Sequence, residues 1–172
     1  MAPAVALCRT IGCYHIMKVI IVHASKYGNG AMVAEEVASL LRDKGNVVEV
    51  HHVREMKAKK MPAADLYVLS SPGRIGKPIG KMRRFLKKLV LPEGTKMAIF
   101  STEGQSRPKK DGTMPTKEEV EKWQRVRPIM NELLAPKKLN KVAEQVFYVT
   151  GMKGPLEEGW KEKAAEFSAR LT

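Results

Sequence analysis

Five apolar runs rich in β-branched residues punctuate the chain: KVIIVHA (18–24), NVVEVH (46–51), LYVLSS (66–71), KMAIFS (96–101) and QVFYVTG (145–151). Runs of this length bounded by turn residues predict strands. The first, third and fourth are nearly continuous in apolar character, as strands covered on both faces are. Between them the period changes. AMVAEEVASLL (31–41) places Met32, Val33, Val37, Leu40 and Leu41 on one helical face, and GKMRRFLKKLV (80–90) does the same with Met82, Phe85, Leu86, Leu89 and Val90. A third helix is predicted over 117–134, interrupted or kinked at Pro128, and a fourth over 156–171. The stretch 54–64 is short, basic and carries Pro62, so at most a turn or two of helix is expected there. Glycine, proline and charge crowd 103–115, EGQSRPKKDGTMP, which reads as a long exposed loop.

Strand and helix alternating in this way call for a three-layer α/β fold, a doubly wound parallel sheet of five strands with helices on both faces. No internal repeat or linker composition divides the chain. Its 172 residues fit one domain, which we assign to 17–172. Residues 1–16 are expected to be an N-terminal extension outside the core, because Met17 opens the first strand and could itself be a start. Arg9 interrupts the only apolar stretch of that extension, so a secretory signal is not expected.

Composition narrows the function classes. With 44% hydrophobic and 28% charged residues, the chain belongs with folded globular proteins and not with disordered ones. No apolar run approaches the roughly 20 residues that span a bilayer. Both cysteines, Cys8 and Cys13, fall in the extension, so the body has no disulfide, thiolate nucleophile or cysteine-ligated metal. That fits a reducing, cytoplasmic location. The histidines lack metal-ligand spacing; His51 and His52 are neighbours and would face opposite sides of a strand. No carboxylate pair or Ser-His-Asp set emerges, and no metal site or catalytic residue is assigned.

Charge points the other way. The formal net charge is +13, and from Arg74 to Lys110 eleven Lys or Arg face only two acids, Glu93 and Glu103. Anionic partners are implied, and weak polyanion binding at low salt follows from the charge alone. Lys81, Arg83, Arg84, Lys87 and Lys88 read first as the solvated face of an amphipathic helix. Trp123 and Trp160 sit at helical spacings and read as packing residues, and His23 as a core residue at a strand end.

In doubly wound sheets, ligands bind beyond the carboxyl ends of the strands, and the loop after the first strand is the usual place. Here that loop is HASKYGNG, 23–30. Gly28 and Gly30 permit unusual backbone angles, and the helix that follows presents unpaired N–H groups and the positive end of its dipole, a combination that suits an anion. A dinucleotide GxGxxG is not met, since Gly28 and Gly30 are followed by Val33. GKPIGKM (76–82) is one residue short of a Walker loop and ends in Met82.

IIVHASKYGNGAMVAEEV (20–37) resembles the phosphate-loop signature of the flavodoxin family. Ser25 matches its hydroxyl position, Gly28 its small residue, Ala34 its helix alanine and Val37 its aliphatic. His23 stands where the family prefers an aromatic, and Gly30 where it usually carries a threonine that bonds the phosphate. LYVLSSPGRIGKPIGKMRRFL (66–86) looks like the second flavin loop and IFSTEG (99–104) like the third. The resemblance covers essentially all of 17–172.

The resemblance implies the strand order 2-1-3-4-5 and non-covalent binding of flavin mononucleotide (FMN). It implies a phosphate held by Ser25, Lys26, Tyr27, Gly28, Asn29 and Gly30. The ring would be flanked by Ser71, Pro72, Gly73, Arg74, Ile75 and Gly76 and by Thr102, Glu103, Gly104 and Gln105. The second and third loops carry no ring-stacking aromatic; Tyr27 is the nearest, and Arg74, Lys77 and Arg107 stand instead. Cations in those places favour a reduced, anionic flavin and two-electron reductase chemistry over one-electron shuttling. The resemblance thus implies electron transfer or a small flavin-dependent reductase working with a redox partner protein or a small anionic substrate. SPGRIGK (71–77) is also similar to the second loop of flavodoxin-like protoporphyrinogen oxidases, a further reading. The alternative from another class is a flavin-free protein of the same fold that binds nucleic acid or an acidic protein through its basic face.

Overall fold

The computed structural model describes residues 15–172; all of the predicted extension before His15, including Cys8 and Cys13, lies outside the described residues. Strands β1 (Lys18–His23), β2 (Val47–His52), β3 (Leu66–Arg74), β5 (Lys96–Gly104) and β6 (Asn140–Val149) form one parallel sheet in the order β2-β1-β3-β5-β6. A two-residue strand, β4 (Lys77–Pro78), turns back antiparallel on the end of β3. With that hairpin strand set aside, the order is the predicted 2-1-3-4-5.

Period-two alternation in strands buried on both sides sends successive residues to two separate cores. In β1, Val19 and Ile21 enter one core while Ile20 and Val22 enter the other. β3 divides in the same way, with Leu66 and Val68 opposite Tyr67 and Leu69. The first core is closed by α1 (Asn29–Asp43) and α5 (Trp160–Ala169), and holds Phe100 edge-on to both Phe147 and Phe167. The second is closed by α2 (Gly80–Lys88) and α4 (Val126–Leu134), which contribute Met82, Phe85, Leu86, Met130 and Leu134.

Several local expectations are corrected. On α1 the buried face is Val33, Ala34, Val37, Ala38 and Leu41, and Met32 is exposed, because the 3.6-residue period places it on the side away from that stripe. Val90 lies beyond the end of α2 and is exposed. The predicted third helix is two, α3 (Lys117–Trp123) and α4, and the break at Gln124 and Arg125 precedes Pro128. Proline falls instead in the first turn of α4, where a missing N–H costs no intrahelical bond. No helix joins β2 to β3: 53–65 runs as turns, and Met56, Ala58, Met61 and Ala64 pack on the second core where a crossover helix would lie. Among the described residues, no helix is long and apolar enough to cross a membrane.

Candidate functional site

The carboxyl ends of β1, β3, β5 and β6 open on a cleft of about 930 Å³. Of the sixteen residues predicted as a site, all but Gly28 and Ser71 line it, although they come from three separate segments of the chain.

The first wall is the loop between β1 and α1. Gly28 takes φ 94°, a left-handed angle that turns the chain into the helix, and the Ser25 hydroxyl accepts its N–H at 3.0 Å. Ser25 Oγ is thereby oriented with its own hydrogen still available to a ligand. Gly28 caps α1 without any side-chain hydrogen bond, so the amides of Asn29 and Gly30 meet no intrahelical acceptor. A Cβ on Gly30 would lie 3.4 Å from Ser25 Cβ, 3.6 Å from Ser25 Oγ and 3.8 Å from Thr102 Oγ1, all ordinary contacts. The loop therefore presents donors that suit an anion, and it has room for a side chain at Gly30. Asn29 also donates to the Lys153 carbonyl at 3.0 Å, which ties this loop to the segment after β6.

The second wall corrects an expectation. The strand does not stop at Ser71 but continues to Arg74 and returns through β4, so the predicted loop is a hairpin with Ile75 and Gly76 at its tip. Their φ angles, 50° and 68°, are both positive, as a two-residue type I′ turn demands. For a β-branched residue that angle is strained, and Ile75 is 89% exposed there. Ser71 is buried beneath the hairpin, accepting the Ile79 N–H at 3.1 Å and donating to the Pro72 carbonyl at 3.0 Å. It supports the wall without reaching the cleft.

The third wall is the end of β5. Glu103, predicted in an exposed loop, is only 4% exposed because β5 runs to Gly104. Ser101 Oγ donates to Glu103 Oε1 at 2.5 Å, and Arg127 Nε lies 3.5 Å from the same oxygen. Arg127 also reaches Glu144 at 3.2 Å. Burial raises the Glu144 pKa, but Lys141, Asn131 and Arg127 outweigh it and hold that carboxyl below its ordinary range.

Trp123 is not the packing residue its helical spacing predicts: it is 54% exposed and lines the cleft. The Gly76 carbonyl accepts the Arg125 N–H, and the Gln124 side chain donates to the Gly104 carbonyl at 2.8 Å, so the α3–α4 break is docked against two walls at once. The only sequence signal was that Val120 and Trp123 are too few apolar residues to bury a face of α3. The other missed segment, Val149, Thr150, Gly151 and Met152, follows from topology, because β6 ends beside β5. Tyr27, the nearest aromatic in sequence, does line the cleft, with the ammonium groups of Lys26 and Lys153 at 5.2 and 5.7 Å from its ring centre.

The electrostatics are one-sided. Of the lining acids, Glu119 is paired with Lys109 at 2.7 Å and Glu103 with Arg127. Lys26, Arg74 and Arg107 have no acidic partner among the described residues, so the cleft carries a net positive potential.

The chain matches flavodoxin 1 from Bacillus cereus with a TM-score of 0.69 and 20% identity, over 90% of this chain and 96% of that one. A flavodoxin variant from Fusobacterium nucleatum, solved bound to flavin mononucleotide, matches with a TM-score of 0.60 and 9% identity, over 90% and 94%. Rubredoxin oxygen:oxidoreductase from Desulfovibrio gigas matches with a TM-score of 0.68 and 16% identity, over 90% of this chain but 35% of that one, so this chain spans only part of that protein's length. No family model matches the chain, and no curated protein matches it. The fold is flavodoxin-like.

Proposed function

We propose that the chain binds FMN non-covalently in this cleft and serves as an electron carrier or a small flavin-dependent reductase. The observation that carries the reading is convergence: three segments singled out separately in the sequence meet around one cleft at the carboxyl end of the sheet. That the Fusobacterium flavodoxin of the same fold was solved with flavin mononucleotide supports it.

In this reading Ser25 Oγ, the first-turn amides of α1 at Asn29 and Gly30, and Lys26 hold the phosphate, with Gly28 shaping the turn and Ser71 supporting the hairpin. Pro72, Gly73, Arg74, Ile75 and Gly76 flank the ring on one side, and Thr102, Glu103, Gly104 and Gln105 on the other. Tyr27 and Trp123 offer it aromatic surface. Bound FMN supplies the electron or hydride transfer, and the protein supplies orientation and potential. Arg74 and Arg107, lacking acidic partners, favour whichever ligand state carries more negative charge, which supports two-electron over one-electron use. A redox partner protein or a small anionic substrate completes the cycle.

Purified protein tests the reading directly. Flavin absorbance that stays with the protein, or uptake of added FMN, is the expected result. Colourless protein that takes up none would leave the flavin-free alternative, a fold that uses its basic face for an acidic macromolecule.

A further inference from the structure

Soluble domains rarely display large apolar side chains together, and a cluster of them marks an interaction site. Four of the large hydrophobics exposed among the described residues, Tyr27, Ile75, Trp123 and Met152, line the one cleft. Two of them present most of their surface to solvent: Ile75 at the hairpin tip is 89% exposed and Met152, after β6, 83%. Ile75 holds that position in a strained backbone angle, a cost that tight turns usually avoid with Asn or Gly.

Around this apolar mouth runs a collar of cations. Lys26, Arg74 and Arg107 line the cleft, Lys153 stacks on Tyr27 at its edge, and Lys77 and Arg83 line a second hollow of about 360 Å³ that shares Arg74 and Ile75 with it. None of the six has an acidic partner among the described residues.

We infer that this mouth is the docking surface for an acidic protein that exchanges electrons with the cleft. An apolar centre within a charged rim is the build of a protein interface. A small anion in the cleft would leave Lys77 and Arg83 untouched in the other hollow, whereas a protein surface spans both. A second copy of this chain is repelled by its own +13 charge. Nucleic acid would use the cations but gain nothing from the aliphatic tips of Ile75 and Met152. The sign of the rim sets the sign of the partner: carboxylates surrounding an apolar patch. The inference rests on the flavin reading for the electron, not for the docking.

The test uses the full chain and cytochrome c in two forms, native and basic, or succinylated and acidic, which share one fold and one haem. At low salt the succinylated form should bind at least about tenfold more tightly, and the difference should shrink as salt rises. Lys77→Glu with Arg83→Glu should weaken that binding by about tenfold or more. Lys44→Glu with Lys96→Glu makes the same change of charge at the opposite end of the strands and should have well under half of that effect in logarithmic terms. Met152→Ser, which alters no charge, should weaken it by about fivefold at any salt concentration. Equal losses from the two double variants, or full binding by Met152→Ser, would overturn the inference. So would tighter binding of a short single-stranded DNA at physiological salt, in competition with the acidic protein. In a second arm the FMN-loaded chain is reduced by light with EDTA as electron donor, and each ferric haem takes one electron from the flavin. The acidic form should be reduced faster at low salt, and the reverse order would count against the inference. A chain that takes up no FMN refutes the flavin reading and leaves the binding arm to be judged on its own.

Discussion

The backbone N–H of Arg125 donates to the carbonyl oxygen of Gly76 at 2.6 Å, which fastens the tip of the β3–β4 hairpin to the break between α3 and α4. Trp123 ends α3 on the same side, so the bond holds the indole at the cleft. Gly76 makes the approach possible twice over: φ 68° suits a glycine, and a Cβ there would run into the Trp123 carbonyl.

Gly76→Ala should therefore destabilise the fold by about 2–4 kcal/mol, more than the left-handed angle alone would cost. Urea unfolding measures the loss. In a Trp160→Phe background, the emission of Trp123 should shift as the indole leaves its place.

Gly30→Thr should do the opposite at the loop between β1 and α1. The new side chain meets only ordinary contacts with Ser25 and Thr102, so the fold should be kept. A hydroxyl that bonds a charged phosphate contributes about 1.5–3 kcal/mol, so the FMN dissociation constant should fall about ten- to a hundredfold. Titration of FMN fluorescence reads this, and an unchanged constant would mean that the phosphate sits elsewhere.

How much of this was legible beforehand depended on how local each signal was. The strands of β1, β3 and β5 announce themselves because burial on both faces leaves an unbroken apolar run. The loop between β1 and α1 is equally local: a strand, a hydroxyl, two glycines and a helix lie within one stretch. Trp123 could not be found in that way, because what makes it part of the cleft is the contact of its backbone with Gly76, 47 positions earlier in the chain. Glu103 misled for a related reason. Its neighbours read as loop, but pairing of β5 with β6 continues as far as Gly104 and carries the carboxylate into the interior. Met32 stands outside the buried face of α1 because Val33, Ala34, Val37, Ala38 and Leu41 form that stripe, and the two alanines in it carry little hydrophobic signal of their own.

Glu103→Leu should cost about 1.5–3 kcal/mol in urea unfolding, because the Ser101 hydroxyl loses its acceptor and Arg127 loses one of its two acids. Adding Arg127→Met should cost less than the sum of the two single changes, since the ion pair they share is lost only once.

His23 gives the fold an acid limit. It lies edge-on to His52 with ring centres 5.3 Å apart, and its Nδ1 accepts the Ser25 N–H at 3.3 Å. Burial first, and the His52 charge second, hold its pKa below the ordinary value near 6.5, against the weaker pull of Glu55 and Glu35. The neutral form is therefore the one the fold favours. Above about pH 6.5 both folded and unfolded chains are neutral there and the contribution is complete. As the pH drops below that, the unfolded chain takes the proton first, and stability falls until the folded pKa is reached. In the folded chain protonation comes only at that lowered pKa, where it removes the acceptor for Ser25, so FMN affinity should fall at a lower pH than stability does. His23→Phe should flatten this part of the stability profile.

The most direct measurement is titration of the purified chain with FMN, following flavin absorbance and fluorescence together with Trp123 emission in a Trp160→Phe background. The account predicts saturable uptake of one FMN per chain with the Trp123 emission quenched in step. Uptake lost on Ser25→Ala together with Lys26→Ala would place the phosphate at the predicted loop. No uptake at any attainable FMN concentration, or uptake that leaves Trp123 unaffected, would contradict it.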